Sequence, residues 1–160
     1  MALQNMNVTA RNASVKLQWD PRFAANAGNA FGDKLQKEAD AMILESIEAY
    51  IPMGDGILIK SGIAHTRIGS GKLIWRTPYA RYLYYGMLMV DPLYHIGAFH
   101  DTKTGRFWSR RGVPKVLTST KLKFNDGGIR GSKWPERWKN DNLLKTQKAI
   151  GIRAERLLHS

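Results

Sequence analysis

The sequence predicts an α+β fold: a small antiparallel β-sheet packed by a long helix in the N-terminal half and a long C-terminal helix, with an extended N-terminal arm and a long loop. Three observations predict it. Apolar residues recur every three or four positions from Phe31 to Tyr50, the run Leu73-Ile74-Trp75 suits a pleated half-buried surface, and a second amphipathic stretch extends from Trp134 to Leu158. At 160 residues and 43% hydrophobic content the chain has room for one domain with a modest core. The layout expected is an arm over residues 1–28 and a single domain over 29–160, with its long loop at 87–120.

In the arm, Val15, Leu17 and Trp19 alternate with Lys16 and Gln18, which fits a short edge strand ended by Asp20-Pro21. From Asn29 the residues Phe31, Leu35, Ala39, Ile43, Ile47 and Tyr50 share one helical face, while Lys34, Glu38, Asp40 and Glu45 take other positions. Gly28 or Asn29 is available as a cap. Ile51-Pro52 ends the helix, because a residue before proline resists the helical region.

Pro52-Met53-Gly54-Asp55-Gly56 is a turn cluster, followed by a short apolar segment, Ile57 to Gly62, whose type the pattern leaves open. Ile63 to Ile68 alternates loosely, Gly69-Ser70-Gly71 turns, and Lys72 to Thr77 returns, so a β-hairpin across that turn is the pairing the sequence supports best. Pro78 has no amide hydrogen to give a ladder and marks the strand's end. Tyr79 to Tyr85 is then a short helical turn or a second extended piece. Ile68-Gly69-Ser70-Gly71-Lys72 ends like a phosphate-binding loop, but that motif requires glycine where Thr66 stands and Ser or Thr where Leu73 stands.

Residues 87–120 show neither period, and Pro92, Gly97, Gly105, Gly112 and Pro114 mark a long excursion of the kind that is usually functional or disordered. Met87, Leu88, Leu93, Tyr94, Phe99, Phe107 and Trp108 make it too apolar for a solvated linker; it must pack on its own sheet or on a neighbouring subunit. Leu117 to Phe124 reads as another strand and Asn125-Asp126-Gly127-Gly128 as a turn. The last helix begins near Ser132 or Trp134, with Pro135 in its first turn, and runs to Leu158.

The charge is unevenly spread. Residues 1–102 carry ten Lys and Arg against nine Asp and Glu, whereas residues 103–160 carry fifteen against four, so +11 of the net +12 lies in the C-terminal third. Such an asymmetry suits nucleic acid or an acidic protein partner, in a salt-sensitive association. With no cysteine there is neither a disulfide framework nor a thiolate zinc site, which fits assembly in a reducing cytoplasm. No apolar run approaches the roughly 18 to 20 residues of a membrane span, and the N-terminus does not read as a signal peptide. His95, His100 and Asp101 match no metal-ligand spacing, no nucleophile elbow, His-Glu-x-x-His helix or dinucleotide turn appears, and no acid and base pair suggests itself. The expectation is a protein with no catalysis, no metal and no cofactor.

The order of long helix, Pro52-Met53, Gly56-Ile57-Leu58-Ile59-Lys60-Ser61 and the run Thr77-Pro78-Tyr79-Ala80-Arg81-Tyr82-Leu83-Tyr84-Tyr85-Gly86 resembles the minor capsid proteins of tailed bacteriophages of Gram-positive hosts. It is also similar to the wider group of head-tail connector, tail-completion and neck proteins, and Trp134-Pro135-Glu136-Arg137-Trp138-Lys139 extends the resemblance into the last helix. What the resemblance implies is a structural virion protein, assembled in the host cytoplasm. It would form a homo-oligomeric ring between the portal/capsid and the tail, touching itself and portal, adaptor and tail proteins, with DNA passing nonspecifically through the lumen. The alternative is a basic nucleic-acid-binding module acting as a free monomer, with Trp108, Trp134 and Trp138 as stacking platforms. Candidate interface residues are Tyr79, Tyr82, Tyr84, Tyr85, Met87, Leu88, Phe107 and Trp108; tyrosine is favoured at interfaces for its apolar area and hydroxyl, although core packing is the competing role for the tyrosine cluster. Arg106, Arg110, Arg111, Lys115, Lys121 and Lys123 are candidates for a basic channel or for a face that meets an acidic partner.

Overall fold

The computed structural model describes residues 6–11, 13–18, 29–124 and 128–159. The fold is α+β, as the sequence predicts. Its main lobe is a three-stranded antiparallel sheet, β1 (Asn7–Arg11), β2 (Ser14–Gln18) and β3 (Lys72–Arg76), in the order β1-β2-β3. Alternation decides which face is buried. In the β2–β3 ladder Val15 lies opposite Trp75 and Leu17 opposite Leu73, and all four are at most 1% exposed. Trp19, Asp20 and Pro21, expected to end the arm's strand, lie outside the described residues, as do the Gly28 cap and the turn at Asn125, Asp126 and Gly127.

Two long helices complete the core. Helix α1 (Asn29–Ile47), extended by a 3-10 turn over Glu48–Tyr50, buries Leu35, Ala39, Ile43 and Ile47 on the face its period predicts. Fully burying Leu35, Ile43 and Ile47 contributes about 5–9 kcal/mol before entropy is subtracted. The C-terminal helix, Trp134–Leu158, anchors itself at its start with Trp134 and Trp138, both fully buried. Trp138 Nε1 donates to Ser46 Oγ at 2.8 Å, and Tyr50 OH donates to Asp141 Oδ2 at 3.0 Å, so the two helices are also tied by polar contacts. Among the described residues no helix is long and apolar enough to cross a membrane.

The hairpin expected across Gly69-Ser70-Gly71 does not form. Ile57–His65 is a helix, α2, lying along β3, and the partner of β3 is β2 from the arm. The branched residues in Ile57 to Ile63 suit a strand by composition, but Leu58, Ser61 and Gly62 recur at helical spacing and all three are buried. Asp55 Oδ1 accepts the amide of Ile57 at 3.0 Å and helps start the helix. A Cβ on Gly62 would fall 2.4 Å from Trp75 Nε1, so only glycine lets α2 approach the sheet this closely. Helix α2 also seals the sheet: the outward amides of Ile74 and Arg76 donate to Thr66 Oγ1 at 3.0 Å and Ser61 Oγ at 3.2 Å, in place of a further strand.

After Pro78 the chain makes α3 (Ala80–Tyr85), the helical one of the two forms open to it, which ends at Gly86 with φ +66. A Cβ there would also meet Ser132 Cβ at 2.8 Å, so the glycine of Tyr-Tyr-Gly meets both a conformational and a packing demand. Residues 87–121 then form a second, smaller lobe: β4 (Met87–Val90) pairs antiparallel with β7 (Val116–Lys121), and between them β5 (Phe99–His100) pairs with β6 (Phe107–Trp108) as a narrow ribbon. We label the C-terminal helix α4.

Candidate interaction surface

The tyrosine run is split by the pitch of α3. Tyr84 points into the core, packs edge-on to Trp134 at 5.8 Å and donates its hydroxyl to Glu136 Oε1; burial and the neighbouring carboxylate push its pKa well up. Tyr85 stands edge-on to Tyr84 at 5.1 Å and is half-buried. Tyr79 and Tyr82 are half-buried too, and desolvation raises the pKa of each. With Pro78, Arg81, Pro114 and Lys115 they line an open cleft of ≈ 420 Å³ where α3 meets the second lobe. Lys115 crosses it: its Nζ sits 5.3 Å from the centre of the Tyr82 ring and donates to Gly97 O, and burial lowers its pKa.

The second lobe is fastened at its base by Asp91. Arg110 donates to its carboxylate twice, from Nε to Oδ2 at 2.6 Å and from Nη2 to Oδ1 at 2.7 Å, and Oδ1 also accepts the amides of Leu93 at 2.9 Å and Tyr94 at 3.1 Å. Arg110 and those amides hold the carboxyl far below the usual carboxylate range. The Arg110 guanidinium also lies 5.2 Å from the centre of the Tyr94 ring. Beyond this knot the ribbon projects. Phe99 stacks on Trp108 at 4.5 Å on one face, and His100 lies against Phe107 at 4.7 Å on the other.

The expected interface residues therefore occupy two separate places. Tyr79, Tyr82, Tyr85, Met87 and Leu88 are half-buried around α3 and β4, Tyr84 belongs to the core, and Phe107 and Trp108 stand out on the ribbon at 73% and 51% exposure. The basic set divides likewise. Arg106, Arg111, Lys121 and Lys123 are exposed, whereas Arg110 and Lys115 are engaged within the lobe. Sequence reasoning passed over Asp91, Lys103, Val116 and Leu117 as site residues. Asp91-Pro92 was the available signal for the first, since an aspartate starting a turn accepts amides two and three residues on. Of the histidine group, His100 packs on a ring and Asp101 accepts from Lys103 N at 2.9 Å and Thr104 Oγ1 at 2.7 Å. No group of three or more metal-ligating side chains is present among the described residues. Compared with known proteins, the chain matches no family model, no curated protein and no solved structure.

Proposed function

We propose that this protein is a structural component of the neck of a tailed-bacteriophage particle, where copies of it form a ring joining the portal-bearing capsid to the tail. The observation that carries the reading is strand β7, whose Val116 and Leu117 are 45% and 43% exposed, one on each face, and whose outer edge has no strand paired to it among the described residues. An unpaired strand that carries exposed apolar side chains serves contact with another chain. A closed ring needs two unlike faces that meet head to tail, and among the described residues β1 in the main lobe and β7 in the second each have a side with no strand paired to it. The edge of β3, closed by Ser61 and Thr66, is not one of them. The resemblance of the tyrosine run and of the Trp134–Lys139 segment to neck proteins supplies the identity of the partners, and on this reading the chain acts by fitting against other polypeptides.

Native mass spectrometry of the isolated chain and mass spectrometry of purified particles test this together. A ring-sized species and a virion component are expected, with Leu117→Glu on β7 shifting the chain toward smaller species. A chain that stays monomeric at all concentrations and is missing from particles rejects the reading. The rival, a free nucleic-acid-binding monomer, keeps only Trp108 of its three stacking tryptophans, because Trp134 and Trp138 are wholly buried.

A further inference from the structure

Seven Lys and Arg and a single carboxylate lie between residues 92 and 124. Two of the cations are turned inward, Arg110 onto Asp91 and Lys115 onto Gly97 O. Lys103, Arg106, Arg111, Lys121 and Lys123 are left exposed. The single carboxylate, Asp101, is occupied inside the ribbon's own turn by the Lys103 amide and the Thr104 hydroxyl. That turn is closed by two backbone bonds, Asp101 N to Arg106 O at 2.9 Å and Gly105 N to Asp101 O at 2.8 Å, so Lys103 and Arg106 ride on an ordered tip.

We propose that the β5–β6 ribbon is a nucleic-acid contact, in which Lys103 and Arg106 neutralise backbone phosphates and the exposed rings of Phe107 and Trp108 face bases or sugars. Two features favour a nucleic acid over an acidic protein. Directly opposed residues of an antiparallel pair share a face, so the Phe99–Trp108 pair lies on one face of the ribbon and the His100–Phe107 pair on the other. Rings on both faces, next to uncompensated cations, suit a partner that offers phosphates and flat π-surfaces together; an acidic protein surface would use the cations alone. The ribbon's shape agrees, since a two-stranded antiparallel ribbon is narrow enough for the major groove of a duplex, and the same rings would stack on unpaired bases of a single strand. The sequence offers Phe107 and Trp108 as polypeptide contacts and, in the alternative reading, Trp108 as a stacking platform; the ribbon favours the second role for both rings and leaves the body of the lobe for protein contacts. The proposal holds whether or not the chain forms a ring.

Fluorescence anisotropy with the full chain, labelled duplex and single-stranded oligonucleotides and a series of salt concentrations tests it. The logarithm of the binding constant is expected to fall linearly with the logarithm of salt concentration. Replacing both Lys103→Gln and Arg106→Gln, two exposed positions, should make the duplex slope shallower by about 1.8. If the single strand is the preferred ligand, Trp108→Ala weakens it by about fivefold or more and Trp108→Phe restores it; a duplex preference instead points to insertion in the groove. An unchanged slope in the double variant overturns the proposal, and so does failure to bind either oligonucleotide at about 50 mM salt. Binding of polyglutamate, lost in the same double variant while oligonucleotides are ignored, overturns it in favour of an acidic protein. The neck reading is decided by native mass and particle content, so the two stand or fall separately.

Discussion

Among the described residues each lobe contains one buried aspartate, and the two are held in opposite ways. Asp40, fully buried on α1, accepts from uncharged donors among the described residues, including Gln36 Nε2 at 2.6 Å, Gly69 N at 2.7 Å and Gly71 N at 3.1 Å. Burial raises its pKa despite those hydrogen bonds. Asp91 is held by the Arg110 guanidinium and two amides, which lower its pKa. The difference follows from what surrounds them. The main lobe is stabilised by tryptophan and aliphatic packing, and its aspartate has only to fix the turn that begins β3. The second lobe buries few apolar side chains, chiefly Met89 and Val90, and its base is fixed in place by the hydrogen bonds that Asp91 accepts from Arg110 and two amides.

That contrast is tested hardest at Trp134, which contacts Trp75 edge-on at 5.9 Å and Tyr84 at 5.8 Å. Trp134→Ala is expected to cost about 3–5 kcal/mol in urea unfolding and to loosen both long helices. A smaller loss would mean that the core is less unified than its packing implies. Gly62→Ala comes next, at about 1–3 kcal/mol, because the new methyl group must displace the Trp75 indole or lift α2 from the sheet.

How far the sequence could be read follows the same division. The two long helices were legible because their apolar periods run for many turns and are answered by one core, and Trp134, Pro135 and Trp138 mark the start of α4 as expected. Helix α2 was not legible, because its nine residues are rich in branched side chains and the close approach at Gly62 depends on Trp75, thirteen positions away. The pairing of β3 with β2 was hidden for a related reason: a hairpin is a local signal, whereas this ladder spans a sequence separation that no local pattern encodes. At the surface, residue type identified Phe107 and Trp108 as unusual, but which cations remain free depended on Asp91 capturing Arg110, a contact made 19 residues apart.

The aspartates give the contrast a pH dependence with two signs. Asp40 has a folded-state pKa above its unfolded value of about 3.9, so its ionisation costs stability at neutral pH. The main lobe should gain stability as pH falls through the raised value. Asp91 has a depressed folded-state pKa, so its contribution is complete above about pH 4 and is lost as pH falls toward the folded value. Acidification therefore first strengthens the main lobe and then releases the second, which amide hydrogen exchange followed separately in residues 29–76 and 87–121 would resolve. Substitution sharpens the point. Asp40→Asn should fall within about 1 kcal/mol of the parent, because the Gln36 amide can flip to meet it, whereas Asp40→Ala leaves two glycine amides unpaired at about 1–3 kcal/mol. Asp91→Asn breaks the charge pairing with Arg110, and exchange should quicken across residues 91–110 alone.

The smallest effect on stability is expected at Trp108. It has the same side chain as Trp134, yet it is half exposed on a ribbon whose strands hold only two residues each, and among the described residues its ring partner is Phe99. Trp108→Ala should therefore change global stability by no more than about 0.5 kcal/mol, measured by urea unfolding beside Trp134→Ala. A small loss would show that the half-exposed indole is available to a partner at little cost to the fold. A loss comparable to that at Trp134 would show Trp108 to be a packing residue and remove the distinction between the lobes.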